Sequence, residues 1–217
     1  MRSLWLVDTE RATGNDHEVS QLWEGTDMTL PVEKIGVRDH VVASMSKART
    51  IKSKMQIVSN VHVVLTGPDG VVKYDEWIEN LVTDYGDQFI AEREYLDATD
   101  VISGMRLGTG STAASKAGAG GAIVTYISGS QEALDATATD SDLGAGSGHR
   151  TQYVCTWIAG DVTNSAIAET VLTNENPLTD VAGAVGNTVA RFVFASTIDK
   201  QAADQLVVTW QLDKLGA

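Results

Sequence analysis

One cysteine, three prolines and four histidines are all that 217 residues contain of these types. A lone Cys155 excludes a disulfide within the chain, and its place in an alternating apolar run predicts burial rather than reactivity, since no base partner is signalled nearby. His17, His40, His62 and His149 show no paired spacing. The nearest approach to a zinc-binding helix, His17-Glu18, has Gln21 where the second ligand belongs. His62 is expected on a strand face with a single hydrogen bond.

Long apolar runs are lacking too. None approaches the length that spans a bilayer, and Leu4-Trp5-Leu6-Val7, followed at once by Asp8 and Glu10, is too short for a secretion signal. The chain is therefore expected to fold in a cytoplasm. No Gly-x-Ser-x-Gly elbow occurs. Gly108-Thr109-Gly110 and Gly118-Ala119-Gly120-Gly121 lack the spacing of nucleotide loops, and no Gly-Lys-Ser/Thr follows, so both predict turns. A calcium hand starting at Asp140, near Asp135 and Asp142, would need glutamate at its twelfth position, which is Thr151. No catalytic residue, metal or cofactor is expected.

Cations are scarce: 16 Lys and Arg stand against 29 Asp and Glu, a net charge of −13. Residues 1–60 balance, with eight of each sign, so the whole excess lies in residues 61–217, with eight bases and twenty-one acids. Such a surface repels nucleic acid and anionic membrane, and neither is an expected partner.

What is present is organised around residues 61–110. Val61, Val63 and Leu65 share one face of an extended run, and Val72, Tyr74, Glu76 and Ile78 resume the alternation. Between them Gly67-Pro68-Asp69-Gly70 predicts a bulged hairpin turn. Thr83 or Asp84 is suited to cap a helix whose first turn carries Asp84 and Asp87, and Tyr85, Phe89, Ile90 and Leu96 supply an apolar stripe about three turns long. Met105 and Leu107 begin another strand.

Ten of the twenty glycines fall between Gly104 and Gly148. The piece GSTAASKAGAGGA predicts a flexible surface loop, and residues 122–128 a short strand with Ile123, Thr125 and Ile127 on one face. Tyr153, Cys155 and Trp157 share one side of the next strand, with Val154 and Ile158 on the other, both facing protein. Residues 167–172, 188–196 and 205–212 complete the strands, with a turn over 199–204. Short strands separated by turn signals predict a mainly β fold: an antiparallel β-sandwich or jelly-roll-like main domain over 61–217, with one short helix and an extended N-terminal arm or small subdomain over 1–60.

In that arm, Lys47, Arg49, Lys52 and Lys54 form a basic run free of acids. It reads as a solvated loop or strand edge, or as an arm lying on an acidic neighbouring subunit; a phosphate track is disfavoured without interleaved aromatics. Trp5 and Trp23 are isolated apolar anchors, suited to an interface or to small satellite cores.

Four blocks, NLVTDYGDQFIAER, MRLGTGSTAAS, AIAETVLTN and ARFVFASTIDKQAADQLVVTWQL, together resemble a family of tailed-bacteriophage virion structural proteins, of head-decoration or tail-fibre-like type. The resemblance covers roughly residues 61–212, and the order of the blocks is its most specific feature. It implies a β-rich, non-enzymatic viral protein of the virion, assembled in the bacterial cytoplasm. The expected role is a capsid decoration or cement protein, a trimer that bridges the major capsid protein or other virion subunits through residues 45–57. Trp5, Trp23, Lys47, Arg49, Lys52 and Lys54 are the expected partner-binding residues. A tail, neck or baseplate position is the alternative. A glycan-cleaving enzyme would need a carboxylate pair in a cleft.

Overall fold

The computed structural model describes residues 56–93 and 101–215. Its elements follow as β1 (Gln56–Thr66), β2 (Val72–Glu79), β3 (Leu81–Val82), α1 (Asp84–Glu92), β4 (Gly104–Gly108), β5 (Glu132–Ala133), β6 (Thr139–Asp142), β7 (His149–Trp157), β8 (Asn164–Thr173), β9 (Thr188–Lys200) and β10 (Gln205–Leu215). They form two five-stranded antiparallel sheets, a first ordered β2-β1-β10-β7-β6 and a second ordered β3-β9-β8-β4-β5. This is the mainly β, two-sheet architecture that the alternation predicts. The expected arm lies outside the described residues, apart from 56–60, which form the first half of β1.

Alternation explains the core. Val61, Val63 and Leu65 of β1, Cys155 and Trp157 of β7, and Leu206, Val208, Trp210 and Leu212 of β10 point inward from the first sheet. They meet Met105, Leu107, Ile167, Leu172, Val189, Phe192 and Phe194 of the second in one apolar cluster. Both buried indoles find acceptors, Trp157 at Ser130 O (3.0 Å) and Trp210 at Ser59 Oγ (2.9 Å), so neither leaves a polar atom stranded between the sheets.

The β1–β2 hairpin closes as its sequence predicts. Gly70 takes φ +78°, Gly70 N donates to Gly67 O, and Asp69 accepts from Val71 N, while the register slips between Leu65 and Thr66. Thr83 caps α1 by accepting from Gly86 N at 2.9 Å. The helix ends at Glu92, a turn earlier than its apolar stripe suggests, and Leu96 lies outside the described residues.

Three expectations need correction. Residues 122–128 are not a strand: only Tyr126 makes an isolated bridge, to Gly108, because the amides of Val124 and Thr125 are taken by a carboxylate instead of a neighbouring strand. Strand β9 runs on to Lys200 because Ile198 continues the inward alternation, so the turn occupies only 201–204. Ile158 is exposed, one residue beyond the end of β7, where no protein covers it.

Candidate functional site

The outer face of the second sheet ought to be its solvated side, yet it holds three wholly buried charged side chains. Arg106 of β4, Val171 of β8 and Arg191 of β9 are cross-strand neighbours, and Gly108, Glu169 and Val193 form the adjacent row. Residues two apart share a face, so these rows point away from the core lined by Leu107 and Phe192. Arg106, Glu169 and Arg191 are nevertheless each 0% exposed. The loops over 109–131 and 174–187 cover them, and the three side chains are what hold those loops down.

Glu169 and Arg191 pin the first loop. Arg191 donates from Nε (3.0 Å) and Nη2 (2.8 Å) to Glu169 Oε2, again from Nη2 to Thr112 O (2.8 Å), and from Nη1 to Gly120 O (3.2 Å). Glu169 Oε1 accepts from the amides of Gly110 (2.9 Å), Val124 (3.0 Å) and Thr125 (2.8 Å). A carboxylate offers about four lone-pair sites, and here the guanidinium and amides occupy both oxygens. Its acceptor capacity is thus met within the protein. Glycine is required beside it: a Cβ on Gly108 or on Gly110 would sit 2.5 Å from Glu169 Oε1.

Arg106 pins the second loop through Val181 O (2.7 Å), Asn176 O (2.9 Å) and Thr179 O (3.4 Å). Burial lowers its pKa, opposed chiefly by the neighbouring Tyr126. Its Nη1 finds no acceptor among the described residues. Asp180 then ties the two loops together, accepting from Gly129 N (2.8 Å) and from the hydroxyls of Ser128 and Tyr126 (both 2.7 Å). The Gly129 amide, followed by those hydroxyls, holds the Asp180 carboxyl below its ordinary range. Desolvation, then Asp180 itself, raises the Tyr126 phenol.

No family model, curated protein or solved structure matches this chain.

The sequence blocks meet at this same place. NLVTDYGDQFIAER supplies β3 and α1, MRLGTGSTAAS supplies most of β4 with Arg106, Gly108 and Gly110, AIAETVLTN supplies Glu169, and the last block opens with Ala190-Arg191. Gly86 of the first block packs so closely on β9 that a Cβ there would lie 2.0 Å from Val189 O. Gly108, Gly110 and Gly120 therefore serve close packing, whereas Gly118, with φ +70° and open space around it, is a turn glycine as predicted, and the loop predicted to be flexible is fastened at several points.

Trp5, Trp23, Lys47, Arg49, Lys52 and Lys54 lie outside the described residues, as do His17 and His40. His62 makes its single hydrogen bond, to Asp75 at 2.8 Å, and stacks on Trp77 with ring centroids 4.3 Å apart. Asp135, Asp140 and Asp142 have separate partners: the Thr156 amide and hydroxyl, His149, and Gly144 N respectively. Cys155 is buried, and desolvation, reinforced by Asp135 and Glu132, pushes its thiol well above the usual range.

Sequence reasoning assigned no role to Arg106, Glu169 and Arg191. Their signal was present, since Glu169 interrupts an apolar run and each lies on a strand beside apolar neighbours, where an unpaired charge would be costly.

Proposed function

We propose that this protein is a structural component of a tailed-phage virion, with capsid decoration or cement as its role. One observation carries the reading: the residues through which the chain resembles that family are those that fasten two long loops onto a sandwich, so the shared pattern encodes a stiff building block. Glu169, held by Arg191 and by three backbone amides, serves in this reading to fasten a loop to the sheet. The acidic surface and the contrasting basic run at 47–54 suit a subunit that contacts unlike neighbours. Many copies, as trimers, bridge coat subunits, and each modest contact is multiplied by repetition around the shell. Val71, Val72 and Trp77 are exposed on the hairpin of β2, an edge strand among the described residues, and supply a surface for lateral contact.

Reconstruction of the particle tests the assignment. Density for the sandwich repeated at quasi-icosahedral positions is the expected result. A few copies at one vertex would place the protein in the neck, tail or baseplate, and absence from the purified particle would sink the virion reading. Light scattering on the isolated protein should report a trimer. Deleting residues 1–54 should abolish co-sedimentation with empty shells; retained binding would refute the role of the basic run.

A further inference from the structure

Strand alternation turns Asp75, Trp77 and Glu79 of β2 to the outer face of the first sheet, beside Asn60 and His62 of β1. Trp77 is 54% exposed, yet its ring is not loose. His62, its direct cross-strand partner, lies flat against one side of the indole, with centroids 4.3 Å apart and planes 3° from parallel, and Asp75 holds the imidazole in turn at 2.8 Å. An exposed aromatic fixed in this way presents a flat surface whose ordering was completed on folding.

The polar groups beside the ring are uncommitted. Elsewhere on this face side chains pair with one another, Arg150 with Asp213 and Gln152 with Gln211. Asn60 and Glu79, opposite each other in the β1–β2 ladder, have no hydrogen-bond partner among the described residues. Glu79 lies roughly 7 Å along the strand from Trp77, and Asn60 roughly 5 Å across from Glu79, so one small ligand seated on the indole meets both. The carboxylate only accepts, whereas the amide both donates and accepts. A ligand that answers all three groups has an apolar flat side and adjacent hydroxyls at its rim. Phosphates and acidic sugars are turned away by Glu79 and by the acidic domain around it.

We infer that Trp77, Glu79 and Asn60 form a binding site for a neutral glycan ending in a β-galactoside. The axial O4 of galactose leaves the C3, C4 and C5 hydrogens together on the opposite side of the ring, and that side lies on the indole. The vicinal O3 and O4 hydroxyls then donate to Glu79 and bond to the Asn60 amide. His62 is a positioning residue, since it sets the angle of the indole. This inference goes beyond the virion reading and does not depend on it, because every group belongs to one sheet of one chain. A copy whose Trp77 is taken up in lateral contact is closed to the sugar.

Saturation-transfer NMR on the full-length protein, with lactose as the probe, tests it. Lactose should bind saturably through its galactose C3, C4 and C5 protons, and methyl β-D-galactoside should bind at least fivefold more tightly than methyl β-D-glucoside. Trp77→Leu keeps an apolar side chain but removes the flat ring, and should abolish binding. Glu79→Ala, at an exposed position, should weaken lactose about tenfold, the loss of one charge-assisted hydrogen bond, and it serves as the decisive variant should W77L lose its native circular dichroism. The inference is overturned if lactose does not saturate, if the glucoside binds as well as the galactoside, or if either folded variant binds like the native chain. Loss of lactose binding as protein concentration rises would equally overturn it, by assigning Trp77 to a second copy.

Discussion

Arg191 and Glu169 form an ion pair with both side chains wholly removed from solvent, 2.8 Å apart at their closest. Breaking one side of such a pair strands the other charge, which costs about 3–5 kcal/mol. Arg191→Met should therefore lower the unfolding free energy by about that amount in urea titration. Glu169→Leu should cost more, because it also removes the acceptor of three backbone amides. Equal losses in the two variants would mean that the amides find other partners.

Two glycines separate conformational strain from crowding. Gly70 has φ +78° and open space around it, so Gly70→Ala should cost about 1 kcal/mol, from left-handed backbone alone. Gly86 is helical, but its Cβ would collide with Val189 O, and Gly86→Ala should cost about 3 kcal/mol as α1 is pushed off β9. Thermal unfolding of both variants checks the order, which intrinsic helix propensity alone would reverse.

Acid should loosen the turn between β9 and β10. Asp204 is held below its ordinary pKa first by Lys73, whose Nζ donates at 2.7 Å, and then by the Gln201 amide. A depressed folded value means that its contribution is complete above the unfolded value of about 3.9 and is lost as pH falls through the folded one. Melting temperature followed from pH 6 to pH 2 should fall below about pH 4 in the native protein. Asp204→Asn should start lower and show a shallower decline over that window.

Cys155 should be inert while the protein is folded. Its thiol is buried, donates to Ala133 O at 3.2 Å, and is pushed up by desolvation, so almost no thiolate exists at pH 8. Reaction with a disulfide reagent should track global unfolding, reaching completion in urea and remaining negligible in buffer. Fast labelling in buffer would show that β7 opens locally.

Wherever a single face meets a single environment, the fold was legible in the sequence. Val61, Val63 and Leu65 point into the core as their alternation requires, Gly67 to Gly70 turn as their chemistry requires, and Thr83 caps the helix it precedes. The loops failed for a physical reason. Residues 122–128 alternate like a strand, but their amides bond to a carboxylate on β8, a long-range partner that local periodicity does not encode. The candidate site failed similarly: Arg106, Glu169 and Arg191 come from three strands, and only the register of β4, β8 and β9 makes them neighbours. The platform at Trp77 is divided in the same way: Trp77 and Glu79 share β2, but His62 and Asn60 reach them only through the β1–β2 register.

Gln56 and Leu215 are direct partners at the open end of the β1–β10 ladder. A linker of about two to five residues, the length of an ordinary hairpin connection, would thus join them. Among the described residues, the first residue of β1 and the last of β10 are therefore neighbours. Circular permutants reopened at the exposed Pro68–Gly70 tip should keep every strand pairing, and cargo grafted at either Gln56 or Leu215 would emerge from the same spot.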